Sequence, residues 1–454
     1  MLRLAFFVCL FILIGVVGFS QGSADTLQIL TAEQYRQDFV CLRQAFERTY
    51  PSLNRFTDKA SVEKMFDSCN ATINQQTNRT SFYSTIKYVL SALGDGHLSS
   101  KAPPSLRNVF EAQTYFPLSL IFLHQGAYNF CDHPLIPKGA QIISINGVAI
   151  QLIRERLYPY LVSDGAVKTS KNWMLNSTFW FYYYLVFGEQ QAFAVCFKLP
   201  GGSFQTASLN AEQRKNFLCS PYEFLQTANL LDLSYPEKNV AVLTIKTFSR
   251  QVLTNASKDF DAFLDSSFRT IKQKGINRLI IDLRGNGGGA DVYGAHLYSF
   301  LTSKPFRYYQ ELETKGKKLT SADHPNLALL KPTDTHYNGE VLFLINGLTF
   351  SSAAEFCSIA KSNNRGKFIG EETGGGYYGN TSGGFIDIVL PNTSITVSIP
   401  TTKYVMAVRK IKEKNRGIIP DYVVVPTINN ILENKDVQME HAIRLTAAKA
   451  DFVK

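Results

Sequence analysis

The sequence predicts an α/β protein, with a helical segment and a β-rich segment ahead of a sheet-and-helix core. Three observations carry this reading. From Asn239 onward, apolar strand-like runs alternate with amphipathic helical patterns. Leu27 to Leu93 place apolar residues at helical spacing. Pro103 to about Ser220 switches to short runs rich in β-formers, separated by turn residues. The expected division is a leader at 1–20, a helical domain at 26–101, a β-rich domain at 102–225 and a core at 226–454.

The composition suits a folded globular chain: 454 residues, 45% hydrophobic and 19% charged, enough for two or three domains. The net charge of +10 is spread along the chain, with one small cluster at Arg409–Arg416. No basic stripe and no nucleic-acid motif accompany it, so nucleic acid is not an expected partner.

The N-terminus reads as an export signal. Met1-Leu-Arg3 is a short positive region, and Ala5 to Val17 is an unbroken apolar run too short to span a bilayer comfortably. Small residues at Gly18-Phe-Ser20 predict cleavage after Ser20, with an uncleaved anchor as the alternative. Cys9 has no lipobox around it, which argues against a lipoprotein. The membrane is expected as a partner only through this signal, and the location is periplasmic or secreted. Seven cysteines are present, six of them beyond Cys9. In an oxidising compartment Cys41 and Cys69, in neighbouring helical segments, are the expected pair. No Cys/His cluster has metal spacing, so no metal and no cofactor are expected.

In the helical segment, Thr31-Ala-Glu-Gln34 reads as a capping box, with Tyr35, Phe39, Leu42 and Phe46 on one face behind it. Pro51 ends this helix, and Ala60–Ile73 and Ser81–Leu93 continue a small bundle. The bundle closes on Leu93-Gly-Asp-Gly-His-Leu98, where glycines on both sides of Asp95 make a tight turn and present His97.

In the middle segment, Phe116–Phe122, Ala127–Phe130 and Gln141–Ile145 read as strands. The run Lys138–Gly147 resembles the strand and turn of a PDZ-like module, although Ser163 to Tyr184 departs from that pattern. The resemblance implies a sheet edge that adds a peptide strand. Trp173, Trp180 and Phe181, together with Tyr182, Tyr183 and Tyr184, are expected in the core or in a groove wall.

In the core, Val240–Ile245 is a strand, Ser257–Lys274 a helix, and Arg278–Asp282 a strand that runs into Leu-Arg-Gly-Asn-Gly-Gly-Gly289. Consecutive glycines let the backbone approach a ligand and aim N–H groups at it. The spacing is not GxGxxG and no Walker lysine follows, so a nucleotide is not expected. Val341–Ile345 then leads through Asn346-Gly-Leu-Thr-Phe-Ser-Ser into Ala353-Ala-Glu355, a strand, tight turn and helix. A hydroxyl at such a helix start sits beside backbone donors that no helical carbonyl uses.

The combination of Asp282–Gly289 with Ser352-Ala-Ala-Glu355 resembles the tail-specific and tricorn-type serine peptidases, including the C-terminal processing proteases and the retinoid-binding protein repeats. The resemblance extends from about Leu27 to the end of the chain. It implies a crotonase/ClpP-like βαβ spiral as the core, with Ser352 as nucleophile and the N–H groups of Gly288 and Ala353 as oxyanion hole. It implies His97 as the general base, as in the tricorn-like branch. Gly376 stands where the processing-protease branch has a lysine base. Gly96 stands where the tricorn branch has a serine; in the segment Glu413–Asp421, Lys414 falls where that branch has its supporting acid, and a one-residue shift makes Glu413 the match. The implied activity is hydrolysis of peptide or protein substrates; the alternative is a non-catalytic binder of peptides or hydrophobic ligands.

Overall fold

The computed structural model describes residues 29–217, 219 and 229–448. The expected export signal at 1–20 lies outside the described residues. No described helix is long and apolar enough to cross a membrane.

The bundle consists of the helices Ala32–Thr49, Lys59–Ala71 and Arg79–Ala92. The capping box forms as expected: Gln34 N–H donates to Thr31 Oγ1, and Thr31 N–H donates to Gln34 Oε1. Tyr35, Phe39, Leu42 and Phe46 face inward onto Phe66, Phe82 and Ile86. The expected Cys41–Cys69 pair does not form; both thiols are free. Cys69 is buried in the bundle's core, whereas Cys41, two residues beyond the inward-facing Phe39, packs partly buried at the margin of that core. The disulfide is Cys131–Cys219 instead.

The middle segment builds an antiparallel sheet in the order Leu120–Leu123, Gly126–Asn129, Gln141–Ile145, Ala192–Lys198, Phe204–Asn210. Asn146 and Gly147 have φ of 48° and 77°, the signs a two-residue hairpin turn requires, and Val148–Ala149 returns along the strand. The stretch that departed from the PDZ-like pattern is a helix, Thr169–Phe187. It carries apolar residues all round because two cores bury it. Leu175, Phe179, Tyr182 and Tyr183 pack on the sheet, whereas Phe181, Tyr184 and Leu185 reach the bundle.

The core sheet pairs Val240–Ile245, Arg278–Asp282, Glu340–Ile345, Lys367–Gly370 and Tyr422–Val423 in parallel, with Leu231–Glu237 antiparallel at one edge. Alternation along each strand fills two layers. Ala241, Leu243, Ile245, Leu279 and Ile281 face the helices Phe260–Gln273, Asp291–Ser299 and Ser352–Ser362. Val240, Val242, Ile280 and Leu342 face the C-terminal helix Val437–Ala448.

A second sheet joins the core to the bundle. The short strand Ser99–Lys101, just after His97, pairs antiparallel with Thr396–Met406. Leu390, Ile395, Val397 and Ile399 complete the bundle's apolar core. Buried Asp38 accepts from the N–H groups of Asn392 and Thr393 and from Thr393 Oγ1.

Candidate active site

The strand Glu340–Ile345 ends at a turn that is laced to the glycine loop. Asn346 Oδ1 accepts from Gly285 N–H at 3.1 Å, Thr349 Oγ1 donates to the Leu283 carbonyl at 2.9 Å, and Phe350 N–H donates to the Asn286 carbonyl at 3.0 Å. The helix Ser352–Ser362 follows, with Ser351 as its N-cap. Ser351 has φ 52° and ψ −131°, a backbone conformation rare for a residue with a side chain. Its hydroxyl makes no capping bond to the helix. It lies 3.1 Å from His97 Nε2 instead.

His97 arrives from the bundle. Gly94, at φ 69°, ends the helix Arg79–Ala92. Asp95 Oδ1 accepts from His97 N–H at 2.8 Å, a local Asx turn, and its Oδ2 accepts from Tyr50 Oη at 2.6 Å. The same Oδ1 is 3.5 Å from His97 Nδ1. The Phe350 ring lies under the imidazole at a centroid distance of 4.6 Å. The His97 side chain keeps 11% of its surface exposed, so the ring is held from behind and reachable from in front.

A third segment clamps this turn. Asp164 Oδ1 accepts from Gly96 N–H and its Oδ2 from Gly376 N–H, each at 2.9 Å. Gly96 and Gly376 thus hang on one carboxylate. A β-carbon at 96 would lie 2.8 Å from the Phe350 ring. Arg55 donates to the carbonyls of Asn380, Tyr378 and Tyr404, which brings a guanidinium near the two buried acids.

The electrostatics follow from burial and from these partners. Burial works against the His97 imidazolium, but Asp95 outweighs it, and the ring's pKa is raised. Burial works against the Asp95 carboxylate, but His97 and Tyr50 outweigh it and hold the carboxyl below its ordinary value. Asp164 is pushed up by burial and by the charge on Asp95. The ligating atoms of Asp95, His97 and Asp164 lie within 4.8 Å of one another. All four carboxylate oxygens already accept an N–H or O–H, which is the donor set of a braced turn.

Set against the sequence reading, the structure brings His97 to Ser351, not to Ser352. As the first helical residue, Ser352 turns its side chain inward; it is 2% exposed, and its Oγ has no hydrogen-bond partner among the described residues. The two predicted oxyanion donors are already engaged: Gly288 N–H bonds Asn286 Oδ1 at 2.9 Å, and Ala353 N–H bonds the Phe350 carbonyl at 3.1 Å. Ser352 N–H, at the helix start, bonds no carbonyl among the described residues. Gly288 is nonetheless essential to the packing. At φ +93°, a β-carbon on it would lie 2.7 Å from Ser351 Cβ and 2.9 Å from the Ser352 nitrogen. Glu413 is exposed, and its charge acts on Arg416. The acids around His97 are Asp95, Asp164 and Glu355. Asp95 was legible as the residue two before the histidine; Asp164 and Arg55, far off in sequence, left no signal. Asp282 and Arg284 pair at 2.9 Å and support the glycine loop.

Residues 239–424 match the family model described as Peptidase family S41. Among solved structures, mature CPAF complexed with lactacystin aligns with a TM-score of 0.63 at 14% identity, over 91% of this chain and 97% of that one. Mature CPAF by itself gives 0.64 at 15% identity, over 91% and 96%. A Parabacteroides merdae protein designated a peptidase gives 0.51 at 17% identity, over 92% and 99%. At these identities the likeness is one of fold. No curated protein matches the sequence.

Proposed function

We propose that the chain, whose residues 239–424 match the Peptidase family S41 model, is a serine-type peptidase that hydrolyses peptide bonds through an acyl-enzyme on Ser351. The observation that carries this assignment is the 3.1 Å contact between Ser351 Oγ and His97 Nε2. His97 Nε2 takes the Ser351 proton as the hydroxyl attacks the scissile carbonyl, and returns it to the leaving amine. Asp95 orients the ring through its backbone and stabilises the imidazolium that forms. Ser352 N–H, together with the dipole of the helix it opens, faces the developing oxyanion. Water then attacks the ester carbonyl, and His97 repeats the proton transfer in reverse.

Peptide or protein chains are the substrates in this reading. The sheet built from residues 120–210 is the PDZ-like module that docks them, and the parallel core is the crotonase/ClpP-like spiral. The protein is exported, on the strength of Met1-Leu-Arg3 and the apolar run after it. Mass spectrometry of the mature chain then finds an N-terminus at or near Gln21; an intact Met1 rejects export.

A fluorophosphonate probe tests the nucleophile. It labels the folded wild type at Ser351, labels Ser352→Ala equally well, and fails on Ser351→Ala. Labelling that persists in Ser351→Ala and vanishes in Ser352→Ala returns the role to Ser352. Absence of labelling in the folded wild type favours a non-catalytic binding protein.

A further inference from the structure

Glu355 lies one turn into the helix that Ser351 caps, its N–H bonded to the Ser351 carbonyl at 3.0 Å. The residue is 2% exposed. Oε1 accepts from Asn380 Nδ2 at 2.7 Å, and Oε2 lies 2.7 Å from Tyr309 Oη. The same Tyr309 Oη lies 3.0 Å from Asp291 Oδ2. One phenolic hydrogen therefore sits between two carboxyl oxygens and satisfies only one of them. With both acids ionised, the other contact would set lone pair against lone pair in a buried site.

The partners decide which acid keeps a proton. Asp291 has His324 Nε2 at 3.1 Å from the same Oδ2 and opens the helix Asp291–Ser299, whose dipole favours an anion. Burial works against the Asp291 carboxylate, but His324 outweighs it and holds the group below its ordinary value. Among the described residues, the Glu355 carboxyl is hydrogen-bonded to the neutral groups Asn380 and Tyr309. Burial, and then the charge on Asp291, push its carboxyl up to about 7.

We propose that Glu355 is a positioning residue that works as a neutral carboxylic acid: its Oε2–H donates to Tyr309 Oη, whose own hydrogen goes to Asp291 Oδ2, and its ionisation shuts the site down. The shutdown rests on the reading of Ser351 and His97 given above. Ionisable groups face Glu355 from every side: Asp291 from its helix, Tyr308 and Tyr309 from the strand Tyr309–Thr314 and the residue before it, Tyr404 from Thr396–Met406, and His97 and Arg55 from the bundle. Burial raises the three phenols, so they stay neutral. An anion at 355 would oppose the oxyanion that forms at the start of the same helix, and would hold His97 in its charged, non-basic form. It would also disturb Asn380, whose carbonyl Arg55 grips.

The test compares Glu355→Gln, Glu355→Ala and Tyr309→Phe with the wild type. Glutamine keeps both hydrogen bonds, since its amide donates to Tyr309 and its carbonyl accepts from Asn380. Wild-type kcat/KM and fluorophosphonate labelling of Ser351 fall as pH rises above about 7. Glu355→Gln shows no such fall and keeps activity within about threefold of wild type near pH 6, whereas Glu355→Ala loses about tenfold or more. In infrared difference spectra, the carbonyl band of a protonated carboxyl disappears in Glu355→Gln and shifts in Tyr309→Phe. An alkaline fall unchanged in Glu355→Gln, a folded Glu355→Gln that is inactive at every pH, or the absence of that infrared band overturns the proposal. The infrared measurement needs no turnover. A wild type that never labels at Ser351 but shows the band refutes the catalytic reading, and with it the shutdown, while upholding the proton on Glu355.

Discussion

At the scale of single residues, the site depends on a cap rather than on a motif. Two adjacent serines offer the same chemistry, and backbone geometry separates them. Ser351 holds the non-helical cap conformation and aims outward; Ser352 is helical and points into the core. The pH behaviour follows from His97, which must be neutral to act as base. Its pKa is raised, so kcat/KM is expected to climb with pH through an apparent value above the ordinary histidine value of about 6.5. Because His97 and Glu355 interact, the two limbs of the profile belong to the pair. Asp95→Asn is expected to lower kcat/KM by about 10²–10⁴ and to move the acid limb to lower pH, because the carboxylate that raises the ring's pKa is gone. An acid limb left where it is in the wild type would show that Asp95 does not act on the ring.

At the scale of elements, the nucleophile's turn is only as rigid as the glycine loop beside it. Asp282, at the end of its strand, pairs with Arg284 at 2.9 Å and Lys246 at 3.0 Å, and Arg284 reaches on to Asp436 at the start of the C-terminal helix. Removing the Asp282 charge leaves Lys246 without its carboxylate and Arg284 with Asp436 alone, so the network holds an excess positive charge. Asp282→Asn is therefore expected to lose about 3–5 kcal/mol of stability in urea unfolding. Burial opposes the Asp282 carboxylate, but Arg284 outweighs it and holds the folded-state pKa below the ordinary value. The sign follows: this stability is present above the unfolded-state pKa of about 3.9 and is lost as pH falls towards the folded one. The gap between wild type and Asp282→Asn should accordingly shrink in acid; a gap independent of pH would refute the ion-pair account. Gly288→Ala tests the other side of the loop. The left-handed backbone and the contact with Ser351 Cβ predict a folded protein that loses about 10²-fold or more in labelling rate.

At the scale of the whole molecule, the base and the nucleophile come from parts of the chain 254 residues apart, and a shared sheet brings them together. The strand Ser99–Lys101 inserts the end of the bundle beside Thr396–Met406, while Asp38 fastens Asn392 and Thr393 to the first helix. Asp38→Ala leaves several buried donors without an acceptor at about 1–3 kcal/mol each, so a loss of about 3 kcal/mol or more is expected. Activity at a temperature where the variant is folded should also fall, because the His97 turn hangs from the same joint. Two separate unfolding transitions in the wild type would show that bundle and core are not coupled in this way.

The sequence by itself determined the elements and the chemical types. Helical spacing behind the Thr31 capping box, alternating apolar strands from Val240, the glycine run to Gly289 and the turn ending at His97 are all local patterns, and local patterns encode local structure. The Thr169–Phe187 helix was not legible, because apolar residues all round it reflect two cores that only the fold assembles. The same limit applies to the site. Whether Ser351 or Ser352 faces the histidine depends on one residue's cap geometry. Whether Asp95 and Asp164 rather than Glu413 surround the ring depends on which distant loops meet. Whether Glu355 carries a proton depends on Tyr309 and Asp291 converging on it from other elements. Each of these is a relation across space between residues that share no local pattern, and the tertiary structure alone decided them.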